Sequence, residues 1–267
     1  MTAALTKRLA AVFAHPDDDT YGVSGSVALH ASSGIEVTVI LATSGEAGGI
    51  ADPSLATPET LATVREAEDR ASWAEIGVVP AIHFLRYPDG GVADAPRAEL
   101  VARVVDILVA AAPDVVVTFG PDGVTAHADH IAIGEAATEA FHAARARGGG
   151  RGFRRLLYNA LPQSRLDRWS ELMRERGMEP LDPTQPFVPR GVADGTIGVV
   201  ANCRSVYERK LEALRCHKTQ GELESVPFEL WPEVLGEEAF VLAWPGGPQD
   251  PEAARVLADV FEGLADS

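Results

Sequence analysis

The sequence is short of basic residues. Its 23 Lys and Arg stand against 39 Asp and Glu, a formal net charge of −16. Nucleic-acid phosphates are bound through Lys and Arg, so this balance argues against nucleic acid as a partner and against an anionic membrane surface. It identifies no substrate, because net charge governs mainly solubility and steering. Cysteine is nearly absent: Cys203 and Cys216 are the only two, with no C-x-x-C spacing. Two cysteines make no disulfide framework, and the expectation is a reduced, cytoplasmic protein. Long apolar runs are missing as well. Only about six apolar residues separate Arg8 from His15, too few for a signal-peptide core and far below the about 20 of a transmembrane helix. No G-x-G-x-x-G follows the first apolar run and no Gly-Lys-Ser/Thr phosphate loop occurs, which argues against a nucleotide-binding oxidoreductase. No internal repeat and no low-complexity tract is found.

What is present is an ordinary globular composition, 46% hydrophobic and 23% charged over 267 residues, enough to bury a large core. Strand-like and helix-like runs alternate through residue 160. Strands are expected at 8–14, 35–43, 81–86, 114–119 and 154–160. Helices are expected at 23–33, from Thr57-Pro58 to about Gly77, at 96–112 and at 131–147. The run DVVVTF at 114–119 is apolar without interruption, as in a strand buried on both faces. This order predicts an α/β fold: a Rossmann-like, doubly wound, mostly parallel sheet with helices on both faces. The later chain is less regular. A charged helix at 163–177, a strand at 195–201, a helix at 205–217, a strand at 239–244 and a closing helix at 251–265 are expected. Residues 1–160 are read as the metal-binding catalytic core. Residues 161–267 are read as a smaller C-terminal part completing the same domain, with a substrate lid around 178–194.

Two clusters carry chemistry. His15-Pro16-Asp17-Asp18-Asp19 follows the first strand and His127-Ala128-Asp129-His130 follows the fourth. Alone, three Asp in a row also suit a solvated turn or a helix N-terminus, and His-x-x-His alone is a weak metal signal. In a doubly wound sheet, however, the first and fourth strands lie side by side, and ligands bind beyond their carboxyl ends. The clusters are therefore expected in one crevice. His15, Asp18 and His130 would form a His₂Asp zinc site with a position left open. Asp17 would stay off the metal as a base, and His127 could approach a reacting carbonyl. Asp129 either orients an imidazole from behind or caps the helix. Asp19 has no assigned chemistry.

These residues resemble the LmbE-like (PIG-L) zinc-dependent deacetylases. AHPDDD at 14–19 matches the A-H-P-D-D-[DE] signature, and HADH at 127–130 matches H-x-D-H. TSGEAGG at 43–49, Arg65 to Glu68 as R-x-x-E, and Lys210…His217-Lys218-Thr219-Gln220 support the match. The resemblance implies His15, Asp18 and His130 as metal ligands, Asp17 as general base and His127 as the group that stabilises the oxyanion or serves as acid. It implies sugar contacts for Arg65 and Asp89. Without it, Arg65 reads as half of a surface pair with Asp69, and Asp89 as a turn residue. His217 is expected as a further substrate contact if it reaches the crevice; a capped helix end is the alternative. Thr125 stands where mycothiol-pathway members carry a tyrosine.

The function implied is removal of the N-acetyl group from an N-acetylglucosamine-containing conjugate, a small-molecule amino-sugar substrate. An amidase acting on a larger acyl group of a mycothiol-type conjugate is the alternative. The cofactor implied is Zn²⁺, with Fe²⁺ tolerated by the same ligands. Homo-oligomerisation stays open. A carbohydrate-binding protein that lost its chemistry is a third reading, opposed by the intact Asp17 and His127.

Overall fold

The computed structural model describes residues 6–148, 151–221, 227–246 and 255–264. The first half alternates as its apolar periodicity dictates: β1 (Arg8–Phe13), α1 (Asp18–Ala28), β2 (Glu36–Leu41), α2 (Leu61–Ile76), β3 (Ala81–Phe84), α3 (Arg97–Ala111) and β4 (Val115–Phe119). A single turn, α4 (Gly123–Ala126), leads into α5 (Ala128–Arg147) and β5 (Arg155–Pro162). Then come α6 (Gln163–Glu175), β6 (Gly191–Val192), β7 (Ile197–Asn202), α7 (Tyr207–Arg215), α8 (Trp231–Leu235) and β8 (Glu237–Trp244).

The sheet order is β3-β2-β1-β4-β5-β8-β7, with β6 beside β5. β1 pairs in parallel with both β2 and β4, the latter in the register Leu9↔Val115 to Ala11↔Val117. The expected neighbours are therefore adjacent, with the chain crossing to opposite sides of β1. All five residues of β4 and the last five of β1 are buried, as parallel strands covered on both faces must be. β8 runs antiparallel to β5 and β7, which makes the sheet mixed. Among the described residues no helix is long and apolar enough to cross a membrane.

Several boundaries differ from the expectation. The first helix begins at Asp18 rather than Val23 and ends at Ala28, because acidic residues suit a helix N-terminus. The second begins at Leu61, since Thr57 to Thr60 form a turn of their own, with Thr57 N donating to Thr60 Oγ1 at 2.8 Å. The fifth begins at Ala128, so His127 caps it. The closing helix is absent from its described part, residues 255–264; the rest of that expectation lies outside the described residues. There Leu257 N donates to Gly198 O and Val200 N to Leu257 O, both on β7. Arg155 Nη2 also reaches Glu262 O at 2.8 Å. These tertiary bonds override a helical apolar pattern.

α1 is also gripped from behind. The Lys210 ammonium, on α7, donates to Tyr21 O (2.7 Å) and Glu238 Oε1 (2.6 Å). Glu238, on β8, accepts from Gly25 N and Ser26 N, each at 2.8 Å. Both side chains are buried. Removing one member of such a pair strands the other charge. Lys210→Met is expected to lower stability by about 3 kcal/mol, the low end for a buried pair because Glu238 keeps two N–H donors. Urea unfolding followed by circular dichroism checks this; a loss below about 1 kcal/mol would refute it.

Candidate metal centre and active site

Beyond β1 the chain passes His15 and turns at Asp17, whose φ is 126°. Few residues with a Cβ adopt such values. Beyond β4 the turn is as tight, with φ of 62°, 61° and 57° at Gly123, Val124 and Ala126. At Asp17, Val124 and Ala126, which carry a Cβ, such conformations cost on the order of 1–3 kcal/mol each and persist where the surroundings over-determine them. Their result is that His127 and His130 enter the crevice beside His15.

The inner spacings are short and even. His15 Nδ1 lies 3.2 Å from His130 Nε2 and 3.2 Å from Asp18 Oδ2. His130 Nε2 lies 3.4 Å from Asp18 Oδ1. Donors held tetrahedrally at about 2.0–2.1 Å from a zinc-sized ion stand about 3.3 Å apart. The donor set therefore fits a small divalent metal.

The hydrogen-bond partners select tautomers that agree with this. His130 Nδ1 faces Gly123 O at 3.0 Å, so it carries the proton and Nε2 keeps its lone pair. His15 Nε2 lies 3.0 Å from Asp89 Oδ1 and 3.5 Å from Asp129 Oδ2, without a well-aligned hydrogen bond to either. That places carboxylates behind the ring and leaves Nδ1 facing Asp18 and His130. Asp129 N donates to His127 Nδ1 at 3.1 Å, so a neutral His127 carries its proton on Nε2.

Two other donor trios lie within reach of an ion, His15 with His127 and His130, and His15 with Asp89 and Asp129. The first would spend the protonated nitrogen of His127. The second would take the carboxylates away from the rear of His15. The His15–Asp18–His130 set needs neither change.

Charge follows the same layout. Burial opposes protonation of His15, but Asp129, Asp18 and Asp89 outweigh it and raise its pKa well above the usual histidine value. Burial also opposes ionisation of Asp18, Asp89 and Asp129, yet the facing imidazoles and backbone N–H groups hold all three below the ordinary carboxylate range. His127 is lowered by burial and by the neighbouring His15 and His130, so it is neutral at neutral pH. His217 is lowered to about 3 by burial and the nearby Arg65.

The remaining expected residues sit as follows. Arg65 is buried and donates to Pro16 O, Asp17 Oδ2 and Gly45 O. The surface pair with Asp69 does not form; Asp69 is buried beside Asp19, and burial raises both carboxyls, helped by the Asp18 charge at Asp19 and by the Asp19 charge at Asp69. Asp89 has its second oxygen on Ala47 N at 2.9 Å. Asp129 accepts from Gly90 N and Val92 N at 2.7 and 3.0 Å, besides facing His15. His217 is buried, with Nε2 3.1 Å from Thr20 Oγ1, which is 2.8 Å from Ser72 Oγ. Asp19 accepts from Trp73 Nε1 at 2.6 Å and so ties α1 to α2.

Some neighbours of the site escaped sequence reasoning. Glu68 accepts from both Thr219 N (2.9 Å) and Thr219 Oγ1 (2.6 Å), joining the R-x-x-E segment to the H-K-T-Q segment. Phe187, in the proline-rich stretch, is 68% exposed with φ 63°, its ring centroid 5.3 Å from that of His127. An aromatic between Pro186 and Pro189 was the available signal. Phe119 stacks on His130 at 4.1 Å, and on its other side a cavity of about 310 Å³ opens toward Arg97, Glu135 and Tyr158. That cavity contains none of the expected site residues.

Fold and centre together define an α/β protein of the doubly wound kind with a crevice at its switch point whose histidines and aspartates could hold a metal ion. The comparisons narrow this. Residues 10–141 match the PIG-L family model, described as GlcNAc-PI de-N-acetylase. A Thermobispora bispora protein named 1D-myo-inositol 2-acetamido-2-deoxy-alpha-D-glucopyranoside deacetylase is 31% identical, over 94% of this chain and 92% of its own. The chain belongs to the PIG-L family. N,N'-diacetylchitobiose deacetylase from Pyrococcus horikoshii shares the fold, with TM-score 0.58, 23% identity and coverage of 88% of this chain and 83% of that one. So does the 4-carboxy-2-hydroxymuconate hydratase of Pseudomonas putida, with TM-score 0.59, 17% identity and coverage of 92% and 99%. The fold alone therefore does not decide the reaction.

The raised His15 pKa has a measurable consequence. The carboxylates around His15 favour its proton in the metal-free chain, and a metal must displace it. Affinity for a divalent ion is expected to rise with pH across the neutral range, with proton release on binding. Calorimetric titration in buffers of different ionisation enthalpy checks this. A pH-independent affinity with no proton release would refute the assignment of His15.

Proposed function

We propose that this chain is a zinc-dependent N-deacetylase that hydrolyses the acetamide of an N-acetylglucosamine-containing small molecule, giving acetate and a free amino sugar. The observation that carries the reading is the triangle of His15 Nδ1, Asp18 and His130 Nε2, with a further carboxylate, Asp17, held apart from it by Arg65. The curated relatives named as deacetylases of an acetamido-sugar conjugate support the substrate class. Three N and O donors suit zinc, and Fe²⁺ would accept them too.

When bound, the ion would supply Lewis acidity, polarising the acetamide carbonyl and acidifying the attacking water. Asp17 takes the proton from that water as its oxygen bonds to the carbonyl carbon. His127, neutral and with its proton on Nε2, donates a hydrogen bond to the developing oxyanion. Asp17 then returns the proton to the departing nitrogen as the C–N bond breaks. Asp89 and Asp129 keep the His15 ring turned with Nδ1 forward. His217 lies behind, on Thr20, and holds the H-K-T-Q segment against α1. The stretch around 178–194 acts as the substrate lid, and Phe187 offers its exposed ring to the apolar face of the sugar.

Asp17→Asn is expected to keep its zinc and lose about 10²–10⁴-fold in kcat, the usual contribution of a positioned base. Amine release from a panel of N-acetylglucosaminyl glycosides, read with fluorescamine, tests both enzyme and variant. A wild-type chain that frees amine only from longer acyl groups would make it an amidase instead. Phe187→Ala should raise KM about tenfold, or ~1.4 kcal/mol, with little change in kcat. An unaltered KM would remove Phe187 from the sugar site.

A further inference from the structure

Arg65 makes three hydrogen bonds and is almost wholly enclosed. Nη2 donates to Pro16 O at 2.7 Å and to Asp17 Oδ2 at 2.8 Å, and Nη1 donates to Gly45 O at 3.0 Å. Its side chain is 4% exposed and its Nε is buried. Pro16 and Asp17 are where the chain leaves the line of β1, and Asp17 does so at φ 126°.

An aspartate at the start of a helix ordinarily turns its carboxylate back onto the N–H groups of the first turn. Asp17 makes no such capping bond. Its carboxylate reaches Arg65 on α2, so the guanidinium grips both the backbone ahead of Asp17 and the side chain. The loop opposite is shaped around that grip. A Cβ on Gly45 or on Gly48 would come within 2.5 Å of the Arg65 guanidinium. Gly45 has φ 69°, but Gly48 has an ordinary φ, so at Gly48 the need is for space alone.

We propose that Arg65 is the positioning residue of the base: it holds Asp17 in its left-handed-region backbone and aims the carboxylate, and Gly45 and Gly48 lack side chains so that it can do so. The inference rests on Asp17 being the base of the proposed hydrolysis. It differs from a sugar contact in what it sets: three of the five guanidinium N–H groups are spent on acceptors of the protein, two of them at Pro16 and Asp17.

The test compares Arg65→Met, Arg65→Lys and Gly48→Ala in the zinc-loaded protein. Arg65→Met is expected to keep its metal and a KM within about twofold, while kcat falls about 100-fold or more. Arg65→Lys should recover part of that loss, because one donor still reaches Asp17. Gly48→Ala, which displaces the guanidinium without removing its charge, should show the same split in milder form. It serves in place of Arg65→Met if that variant does not fold.

A crystal structure of the Met or Ala variant should show Asp17 out of its positive φ. KM rising while kcat holds would make Arg65 a substrate ligand and overturn the proposal. So would an Asp17 that keeps its conformation and carboxylate position without the guanidinium, or a kcat unchanged when they are lost. A wild-type chain inactive on every acetamido sugar would sink the deacetylase reading alone. The crystallographic arm would still decide whether Arg65 sets Asp17.

Discussion

The pairing of β1 with β4 is the constraint on which the site depends. The two strands are more than a hundred residues apart in sequence, yet their register, Leu9↔Val115 to Ala11↔Val117, makes their carboxyl ends neighbours. Everything polar in the crevice hangs from those two ends. Because the strands are buried on both faces, a slip in register would drive apolar side chains into the wrong layer and carry His15 past His130. The sheet thus converts a packing preference into a spacing of about 3 Å between nitrogen atoms, the scale that metal coordination requires.

Around that spacing the charges are layered. Asp18 faces the inner nitrogens, Asp89 and Asp129 stand behind His15, and Asp17 is drawn aside by Arg65. Four carboxylates so close would repel one another without cations among them. Imidazoles, a guanidinium and backbone N–H groups share that work. A positive ion at the inner position completes the balance, which is why a proton stands in for it so readily on His15. Behind this layer, Asp19 and Asp69 lie buried together, their ionisation opposed by burial. They belong to the wall between α1 and α2, and Trp73 fixes them there.

Much of this was legible in the sequence because it follows from local signals. Apolar runs marked the parallel strands, and the switch-point rule made the two clusters neighbours without any structure. What was not legible depended on partners far along the chain. Nothing near Asp19 announces Trp73, 54 residues on. Nothing near Arg65 announces that its partners are Pro16, Asp17 and Gly45 rather than Asp69 one helical turn away. α1 starts ahead of its apolar run because acidic residues favour a first helical turn, and three Asp in a row suit a turn equally well. The apolar spacing near the C-terminus suggested a helix, where the main chain instead bonds to a neighbouring strand.

That last segment bears on how the molecule behaves in a crowd. β7 lies at the end of the sheet order, and an unpaired edge invites another chain to add itself there. Leu257 occupies the edge at its middle, taking a hydrogen bond from Val200 N and giving one to Gly198 O. The His30–Asp259 contact at 2.6 Å and the Arg155 bond to Glu262 O fasten the segment just beyond Leu257. The chain therefore guards its own open edge with a few residues of its C-terminal stretch. Losing them would open that edge to pairing with another chain, three strands away from the crevice at β1 and β4.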